Sequence, residues 1–278
     1  MNLKNFTWVV DADGIALLTW DMQGKSMNVI DESVGHDLNA AVDAAVADPA
    51  VKGVVITSGK DTFSGGADLT MLERLGQTFK DAIKAKGPEA AMADFFEQSR
   101  AYSLVLRKIE TCGKPFVCAI NGMCLGGAFE IALACHARIA SDNPKLRVGL
   151  PEVKVGLFAA GAGLFRLPGR VGYSRAMEMA ITGDPITAEE AAEAGLVSMV
   201  TAKGGALEAA IELAERIARN APLAVAASKA IVRATQGATE DELRAIQQPH
   251  MKVVWGSNDA KEGPRAFADK RSPEWTGS

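Results

Sequence analysis

The sequence predicts an α/β fold built around a parallel β-sheet. The β-branched run at residues 51–57 and the apolar run at residues 115–120 each have the composition of a buried parallel strand. Segments with apolar residues at helical spacing, 28–46 and 95–111, precede these two strands. Strands and helices that alternate with short connections favour a parallel sheet covered by helices over a β-sandwich.

Two short strands are predicted at the start of the chain, over residues 6–11 and 14–20. Asp13-Gly14 between them is a hairpin signal, because these residues suit the backbone of tight turns. The helix over residues 28–46 is expected to stop at Asp48-Pro49, since proline disfavours a helical conformation in the residue before it.

Helical patterns dominate the rest of the chain. The charged, alanine-rich stretch 75–95 predicts a surface excursion, part helix and part loop, over a site entrance. Thr187 is a predicted N-cap with Glu190 at the capping-box position, and the apolar piece 196–200 predicts a last strand. The helices predicted after Gly169 cover residues 173–182, 187–195, 204–219, 222–236 and 239–256.

Composition narrows the class of protein. A chain of 278 residues is long enough for one large α/β domain, and a net charge of −4 argues against a nucleic-acid surface. The three histidines form no HxxxH pair and the four cysteines show no zinc spacing, so no metal site is expected. Three of the cysteines lie in apolar runs, which predicts core thiols in a reducing compartment.

Other sequence signals argue against a membrane segment and against bound nucleotides. No apolar run reaches ~18 residues and the N-terminus lacks a leader pattern, which predicts a cytoplasmic protein. There is no P-loop and no GxGxxG motif, and the pair Gly161 and Gly163 lacks the third glycine of a dinucleotide turn. Nucleotide hydrolysis and hydride transfer are therefore excluded, and no cofactor is expected.

Two glycine pairs are candidate parts of a site. Gly65-Gly66 ends the loop after the strand at 51–57, and Gly126-Gly127 leads from the strand at 115–120 into a helix over 129–137. Glycines let backbone approach a ligand closely, and a helix start leaves N–H groups free. The two turns are therefore expected to donate one N–H each to the same oxygen, although each alone would also suit an ordinary strand-to-helix connection.

Two carboxylates accompany these turns. Glu130 stands in the first turn of the helix after Gly127, and Glu152 follows Pro151 in a segment predicted to be extended up to Gly156. Two carboxylates beside free amide donors suit proton transfer next to an oxyanion. On spacing alone, Glu130 would also suit interaction with the helix dipole, and Glu152 a surface ion pair with Lys154.

At residues 122–135 and 149–156 the sequence resembles the crotonase superfamily. It is most similar to enoyl-CoA hydratases, including the hydratase part of bacterial multifunctional fatty-acid oxidation proteins. The resemblance implies a spiral of ββα turns over residues 1–200 and a C-terminal helical trimerisation region over 201–278. It also implies a homotrimer or a pair of trimers that acts on an acyl-CoA thioester, with coenzyme A as part of the substrate.

The resemblance assigns roles by position. The backbone N–H groups of Ala67 and Gly127 would hold the thioester oxygen in an oxyanion hole. Glu130 would orient and deprotonate a water molecule, and Glu152 would deliver a proton to the α-carbon. The residues implied around the water and the substrate are Gly66, Asp68, Leu69, Gly126, Phe158 and Ala160, with Lys270 and Arg271 near a CoA phosphate. From the residues alone, Asp68 is expected to be a helix-start residue.

One segment departs from the family's usual Pro-Gly-Ala-Gly-Gly-Thr-Gln. Residues 159–165 read Ala-Ala-Gly-Ala-Gly-Leu-Phe, so Ala160 replaces a glycine whose N–H helps to hold the water. An alanine there keeps the N–H but disfavours positive φ. Three alternative functions are therefore considered. They are a 2-enoyl-CoA hydratase, a Δ3–Δ2 enoyl-CoA isomerase that relies chiefly on Glu152, and an acyl-CoA-binding protein without turnover.

Overall fold

A computed structural model describes residues 1–278. Its main sheet has six strands in the order β1-β2-β3-β4-β6-β8, with β1 antiparallel to β2 and every other neighbouring pair parallel. Strands β5 and β7 form a separate parallel pair. The strands are β1 (Phe6–Val10), β2 (Ile15–Trp20), β3 (Gly53–Ser58), β4 (Phe116–Ile120), β5 (Cys124–Leu125), β6 (Ala137–Ser141), β7 (Val148–Gly149) and β8 (Met199–Thr201).

Twelve α-helices and one 3₁₀-helix, Glu152–Val155, cover the sheet and form the end of the chain. None is long and apolar enough to cross a membrane. The α-helices are α1 (Glu32–Ala47), α2 (Leu69–Lys86), α3 (Pro88–Thr111), α4 (Gly127–Ala134), α5 (Gly163–Arg166), α6 (Pro168–Val171), α7 (Tyr173–Thr182), α8 (Ala188–Glu193), α9 (Ala206–Ala218), α10 (Pro222–Ala234), α11 (Glu240–Gly256) and α12 (Asp259–Ala268).

Helix α1 begins four residues later than its apolar pattern predicts. Asn28 is not helical, because its side chain accepts a hydrogen bond from the Met22 N–H at 3.0 Å and donates one to the Trp20 carbonyl at 2.9 Å. Asp31 then caps the helix, accepting from the N–H groups of Ser33 and Val34.

The prediction of a partly looped excursion over residues 75–95 is wrong. These residues belong to α2 and α3, which are interrupted only at Gly87. Gly87 has a φ of 84° and Pro88 occupies the first position of α3, an arrangement that ends one helix and starts the next. The charges and alanines of this stretch therefore reflect long, mostly exposed helices.

The C-terminal part differs from its predictions in two places. The last strand begins at Met199 rather than at residue 196, because Leu196 and Val197 both donate their N–H groups to the Ala191 carbonyl in the turn after α8. Helix α12 is not predicted, since Gly263 and Pro264 interrupt its pattern. The capping box of Thr187 and Glu190 at the start of α8 is confirmed.

Two buried clusters lie on the faces of the main sheet. On one face, Ala206, Ala210 and Ala214 of α9 pack against apolar strand residues such as Val55 and Val117, and the small alanines allow a close approach. The larger cluster joins the other face to α1, α3 and α4. This packing leaves the carboxyl ends of β3 and β4 free to carry the connecting segments that form the site.

We predict that the contacts of Asp37 stabilise the first strands on α1. Asp37 accepts hydrogen bonds from the Lys4 N–H at 3.2 Å and from the buried Asn5 through its N–H at 2.8 Å and its Nδ2 at 2.9 Å. Asp37→Ala leaves these donors unpaired, so the free energy of unfolding in urea should fall by about 1–3 kcal/mol. Asp43→Ala, which breaks an exposed pair with Lys108, should cost less than about 1 kcal/mol. Equal costs would contradict the prediction.

Candidate active site

The two glycine turns lie side by side. Strands β3 and β4 are parallel neighbours, so their connecting segments leave the same edge of the sheet. The segments stay paired, because the Ser64 N–H donates to the Met123 carbonyl at 2.9 Å and the Leu125 N–H to the Ser64 carbonyl at 3.2 Å. A Cβ on Gly66, whose φ is +94°, would lie 3.0 Å from the Leu125 oxygen. Glycine is therefore required at this close approach.

Each turn presents N–H groups without an acceptor in the chain. They include the N–H of Ala67 and the N–H of Gly127, the first residue of α4. Hydrogen bonds between Ile30 and the residues on either side of Ala67 fix that peptide, at 2.8 Å to the Gly66 carbonyl and 2.9 Å from the Asp68 N–H. Two such amides, one just before the cap of α2 and one at the start of α4, have the chemistry of an oxyanion-binding site.

Glu152 reaches the same place through the small strand pair. Strand β7 pairs with β5, and the Gly126 N–H donates to the Gly149 carbonyl at 2.9 Å. A Cβ on Gly126 would lie 2.9 Å from Glu152 Oε1. The prediction that Glu152 occupies an extended segment is wrong, because a turn from Pro151 makes it the first residue of the 3₁₀-helix.

The carboxylate of Glu152 has no cation beside it. Lys154 pairs with Asp184 at 2.5 Å, so the alternative of a Glu152–Lys154 ion pair does not hold. Oε2 of Glu152 is buried and makes no hydrogen bond within the chain. Burial raises the pKa of this carboxyl group above its usual value. Glu152 is therefore a carboxyl group poised to exchange a proton rather than to form an ion pair.

Glu130 is buried and bonded on both oxygens. Oε1 accepts from the Gly163 N–H at 2.7 Å and Oε2 from the Gly161 N–H at 3.1 Å, so the carboxylate binds these amides rather than those of its own helix. Burial raises the pKa of Glu130 to about 7 and the charge of Glu152 adds to that rise, while the two amides and Arg166 oppose it. The charge of Glu152 is therefore close enough to affect the protonation of Glu130.

The backbone strain expected at Ala160 lies two residues later. Ala162 has a φ of +72°, whereas Ala160 is exposed and has no positive φ. Added Cβ atoms on Gly161 and Gly163 would lie 2.4 Å and 2.8 Å from atoms of the Glu130 side chain, so both positions require glycine. The Gly161-Ala-Gly163 sequence, dismissed above as an incomplete nucleotide turn, is the binding loop of Glu130.

Tyr102 is a site residue that the sequence reasoning missed. Its hydroxyl donates to the Gly127 carbonyl at 2.9 Å, and burial raises its pKa well above the usual value, so it remains a neutral donor. A Cβ on Gly127 would lie 3.7 Å both from this hydroxyl and from Glu130 Oε2. Helical spacing of apolar residues in α3 gave no signal for this role.

The other predicted site residues are more dispersed. Asp68 caps α2, as expected, and pairs with Lys25 at 2.8 Å, while Leu69 after the first turn and Phe158 after the 3₁₀-helix are largely exposed. Lys270 and Arg271 follow α12, where Arg271 bonds to Glu262 at 2.6 and 2.9 Å. Their role toward a phosphate stays a prediction. No group of three or more His, Cys, Asp or Glu side chains is arranged to hold a metal ion.

We predict that the pKa of Glu130, measured by ¹³C NMR of its carboxyl carbon, is about 7. Glu152→Gln should lower that pKa, because it removes a neighbouring negative charge that disfavours ionisation of Glu130. Glu208→Gln, on the exposed side of α9, serves as the matched control and should leave the pKa unchanged. A Glu130 pKa near 4.5 would show that burial does not dominate at this position.

Comparisons with known proteins identify the family of this chain. The family model of enoyl-CoA hydratase/isomerase matches residues 11–278. A fatty acid oxidation complex subunit alpha from Shewanella frigidimarina (strain NCIMB 400) is 40% identical over 214 residues, which are 77% of this chain and 28% of that protein. The same subunit from Idiomarina loihiensis is 39% identical over 210 residues, with the same 28% share. The chain thus spans less than a third of the length of these relatives.

Solved structures confirm the predicted crotonase-like α/β fold. An enoyl-CoA hydratase from Mycobacterium tuberculosis H37Rv superimposes with a TM-score of 0.81 at 35% identity and covers 99% of this chain and 100% of its own. One from Bacillus anthracis gives a TM-score of 0.84 at 26% identity with the same coverage. The chain therefore belongs to the enoyl-CoA hydratase/isomerase family of the crotonase superfamily.

Proposed function

We propose that this protein is an enoyl-CoA hydratase, which adds water across the 2,3 double bond of a trans-2-enoyl-CoA. The observation that carries the proposal is a pair of glutamates with raised pKa values, Glu130 buried and Glu152 half-buried, beside two unpaired amides. Hydration needs a group that activates water, a group that protonates the α-carbon and a site for the enolate oxygen. Glu130, Glu152 and the two amides supply these three functions.

The amides of Ala67 and Gly127 would bind the thioester carbonyl oxygen. Attack of water on the β-carbon places negative charge on that oxygen in an enolate-like state. Donors fixed in advance stabilise such charge without reorganising, and each is typically worth about 3–4 kcal/mol. The pairing of the two connecting segments and the bonds from Ile30 supply that rigidity.

The two glutamates would share one proton near neutral pH. Burial raises the pKa of Glu130 to about 7, so in one form of the pair the proton would lie on Glu130 with Glu152 ionised. This is the state for dehydration, in which Glu152 takes the α-proton and Glu130 protonates the departing hydroxyl. Hydration uses the form with the proton on Glu152, which has the same total charge and therefore the same dependence on pH.

The proposal includes assembly as a homotrimer or a pair of trimers in the cytoplasm. Large apolar side chains on the C-terminal helices support assembly through this region. Trp255 of α11 is 75% exposed, and Phe267 of α12 is 87% exposed. Coenzyme A is part of the substrate, and the reaction proposed here uses only groups of the protein.

We predict that the purified protein removes the conjugated enoyl-thioester absorbance of crotonyl-CoA. Glu130→Gln and Glu152→Gln should each lower kcat by about 100-fold or more, because general acid–base catalysis typically contributes 10²–10⁴-fold. Glu208→Gln makes the same chemical change at an exposed position away from the two glutamates, and it should retain full activity. Circular dichroism spectra identical to wild type would show that the variants are folded.

Two outcomes would contradict hydration. One observation favours isomerisation, which needs no bound water. The amides of Gly161 and Gly163 donate to the carboxylate of Glu130 and so do not donate to a water molecule. If 3-enoyl-CoA gains conjugated absorbance while 2-enoyl-CoA substrates of every tested length persist, and Glu130→Gln retains this activity, the protein is an isomerase that uses Glu152. If the α-carbon of a bound acyl-CoA exchanges no deuterium, the protein binds without turnover.

We predict a bell-shaped dependence of kcat/KM on pH. Activity should rise as the pair loses its first proton and fall as the last proton leaves with a pKa of about 7. The second limb is assigned to Glu130 because its ionisation is opposed by both burial and the charge of Glu152. Glu130→Gln should remove this limb from its residual activity, and a limb that persists unchanged would assign it to another group.

A further inference from the structure

Arg166 is a buried cation beside the loop that binds Glu130. Its side chain is 8% exposed and lies in the last turn of α5. Nη1 donates to the Gly161 carbonyl at 3.3 Å and to the Ala162 carbonyl at 3.2 Å. Nη2 lies 3.4 Å from Glu110 of α3. One guanidinium group therefore joins α3 to two successive carbonyls of the loop.

These two carbonyls flank the strained residue of the loop. Ala162 has φ 72° and ψ 23°, a left-handed conformation that is unfavourable for a residue with a Cβ atom. The Gly161 carbonyl belongs to the peptide before Ala162 and the Ala162 carbonyl to the peptide after it. Binding both to a single nitrogen fixes the orientation of both peptide planes.

The same conformation of the loop directs two of its N–H groups toward the carboxylate of Glu130. The N–H of Gly163 belongs to the peptide whose carbonyl Arg166 holds, and it donates to Glu130 at 2.7 Å. The Gly161 N–H donates to the other carboxylate oxygen. Successive amides around a left-handed residue form a concave anion-binding site, here occupied by the carboxylate of Glu130.

We propose that Arg166 is a positioning residue that holds Ala162 in its left-handed conformation and thereby presents two amide donors to Glu130. The inference rests on the proposed role of Glu130 in proton transfer. Glycine adopts this conformation without a Cβ penalty, so a chain with glycine at position 162 would depend less on the guanidinium group. In this protein, which has alanine, the guanidinium provides the restraint.

Arg166 also contributes its charge. The ionisable groups that face Glu130 are Glu152 of the 3₁₀-helix, Tyr102 of α3 and Arg166 of α5. Arg166 is the only cation among them and favours the ionised form of Glu130. Its removal should therefore raise the pKa of Glu130 through both the lost charge and the disordered amides.

The test is a double-mutant cycle of Arg166→Met and Ala162→Gly. Arg166→Met should lower kcat by about tenfold or more with KM changed by less than about twofold, and it should raise the Glu130 pKa measured by NMR. In the Ala162→Gly background, Arg166→Met should lose less activity and shift the denaturant midpoint less, because glycine adopts the left-handed conformation without a restraint from Arg166. We call this restraint the clamp. Equal losses in the two backgrounds would overturn the proposal.

Arg107→Met is the matched control. Arg107 is exposed and also lies 3.4 Å from Glu110, but it makes no hydrogen bond to the loop. This variant should retain the wild-type kcat and Glu130 pKa, and an effect equal to that of Arg166→Met would overturn the proposal. If Arg166→Met does not fold, Arg166→Lys replaces it, since one ammonium group cannot reproduce the planar fork of contacts.

Failure of the proposed function remains distinguishable from failure of this inference. If the wild-type protein does not hydrate enoyl-CoA substrates, the function is wrong. The coupling between positions 162 and 166 in the denaturant midpoint, and the response of the Glu130 pKa, still report on the clamp. An additive midpoint with an unchanged Glu130 pKa overturns the clamp whatever the activity.

Discussion

The site depends on the pairing of two connecting segments beyond the sheet. Strands β3 and β4 end, but Ser64 continues to exchange hydrogen bonds with the segment from Met123 to Leu125. This pairing brings Gly66 against Gly126 and sets the amides of Ala67 and Gly127 next to each other. Because the backbones are in contact, any side chain at these glycines would separate the donors. The rigidity of the oxyanion site thus comes from main-chain geometry.

Opposing electrostatic effects set the pKa of Glu130. Burial disfavours the ionised form of both glutamates and the charge of Glu152 also disfavours that of Glu130, whereas amide donors and Arg166 favour the ionised form of Glu130. Neither force alone would serve proton transfer near neutral pH. A carboxylate bonded to two amides in water would stay ionised, and an unbonded one at this depth would stay protonated. The balance brings the pKa of Glu130 to about 7.

The sequence predicted the fold and named several of the residues that meet at the candidate site, because its signals are local. Glycine pairs after β-branched runs marked the two turns, and the position of Glu130 one turn into α4 followed from the helix pattern. The 3₁₀ conformation at Glu152, the left-handed Ala162 and the role of Tyr102 were not predictable in this way. The turn at Glu152 is local but carries no distinctive residue pattern, whereas the Ala162 loop and Tyr102 depend on contacts with segments far apart in the chain.

The hydroxyl of Tyr102 gives α3 a mechanical connection to the oxyanion site. Gly127 offers its N–H to the pocket and binds Tyr102 through its carbonyl, so displacement of the middle of α3 must pull on the donor residue. Helix α3 is 24 residues long and mostly exposed, and it continues from α2 across a single glycine. The position of this surface helix and the alignment of the Gly127 N–H are therefore linked through one hydrogen bond, so a ligand that displaced the helix would also displace that donor.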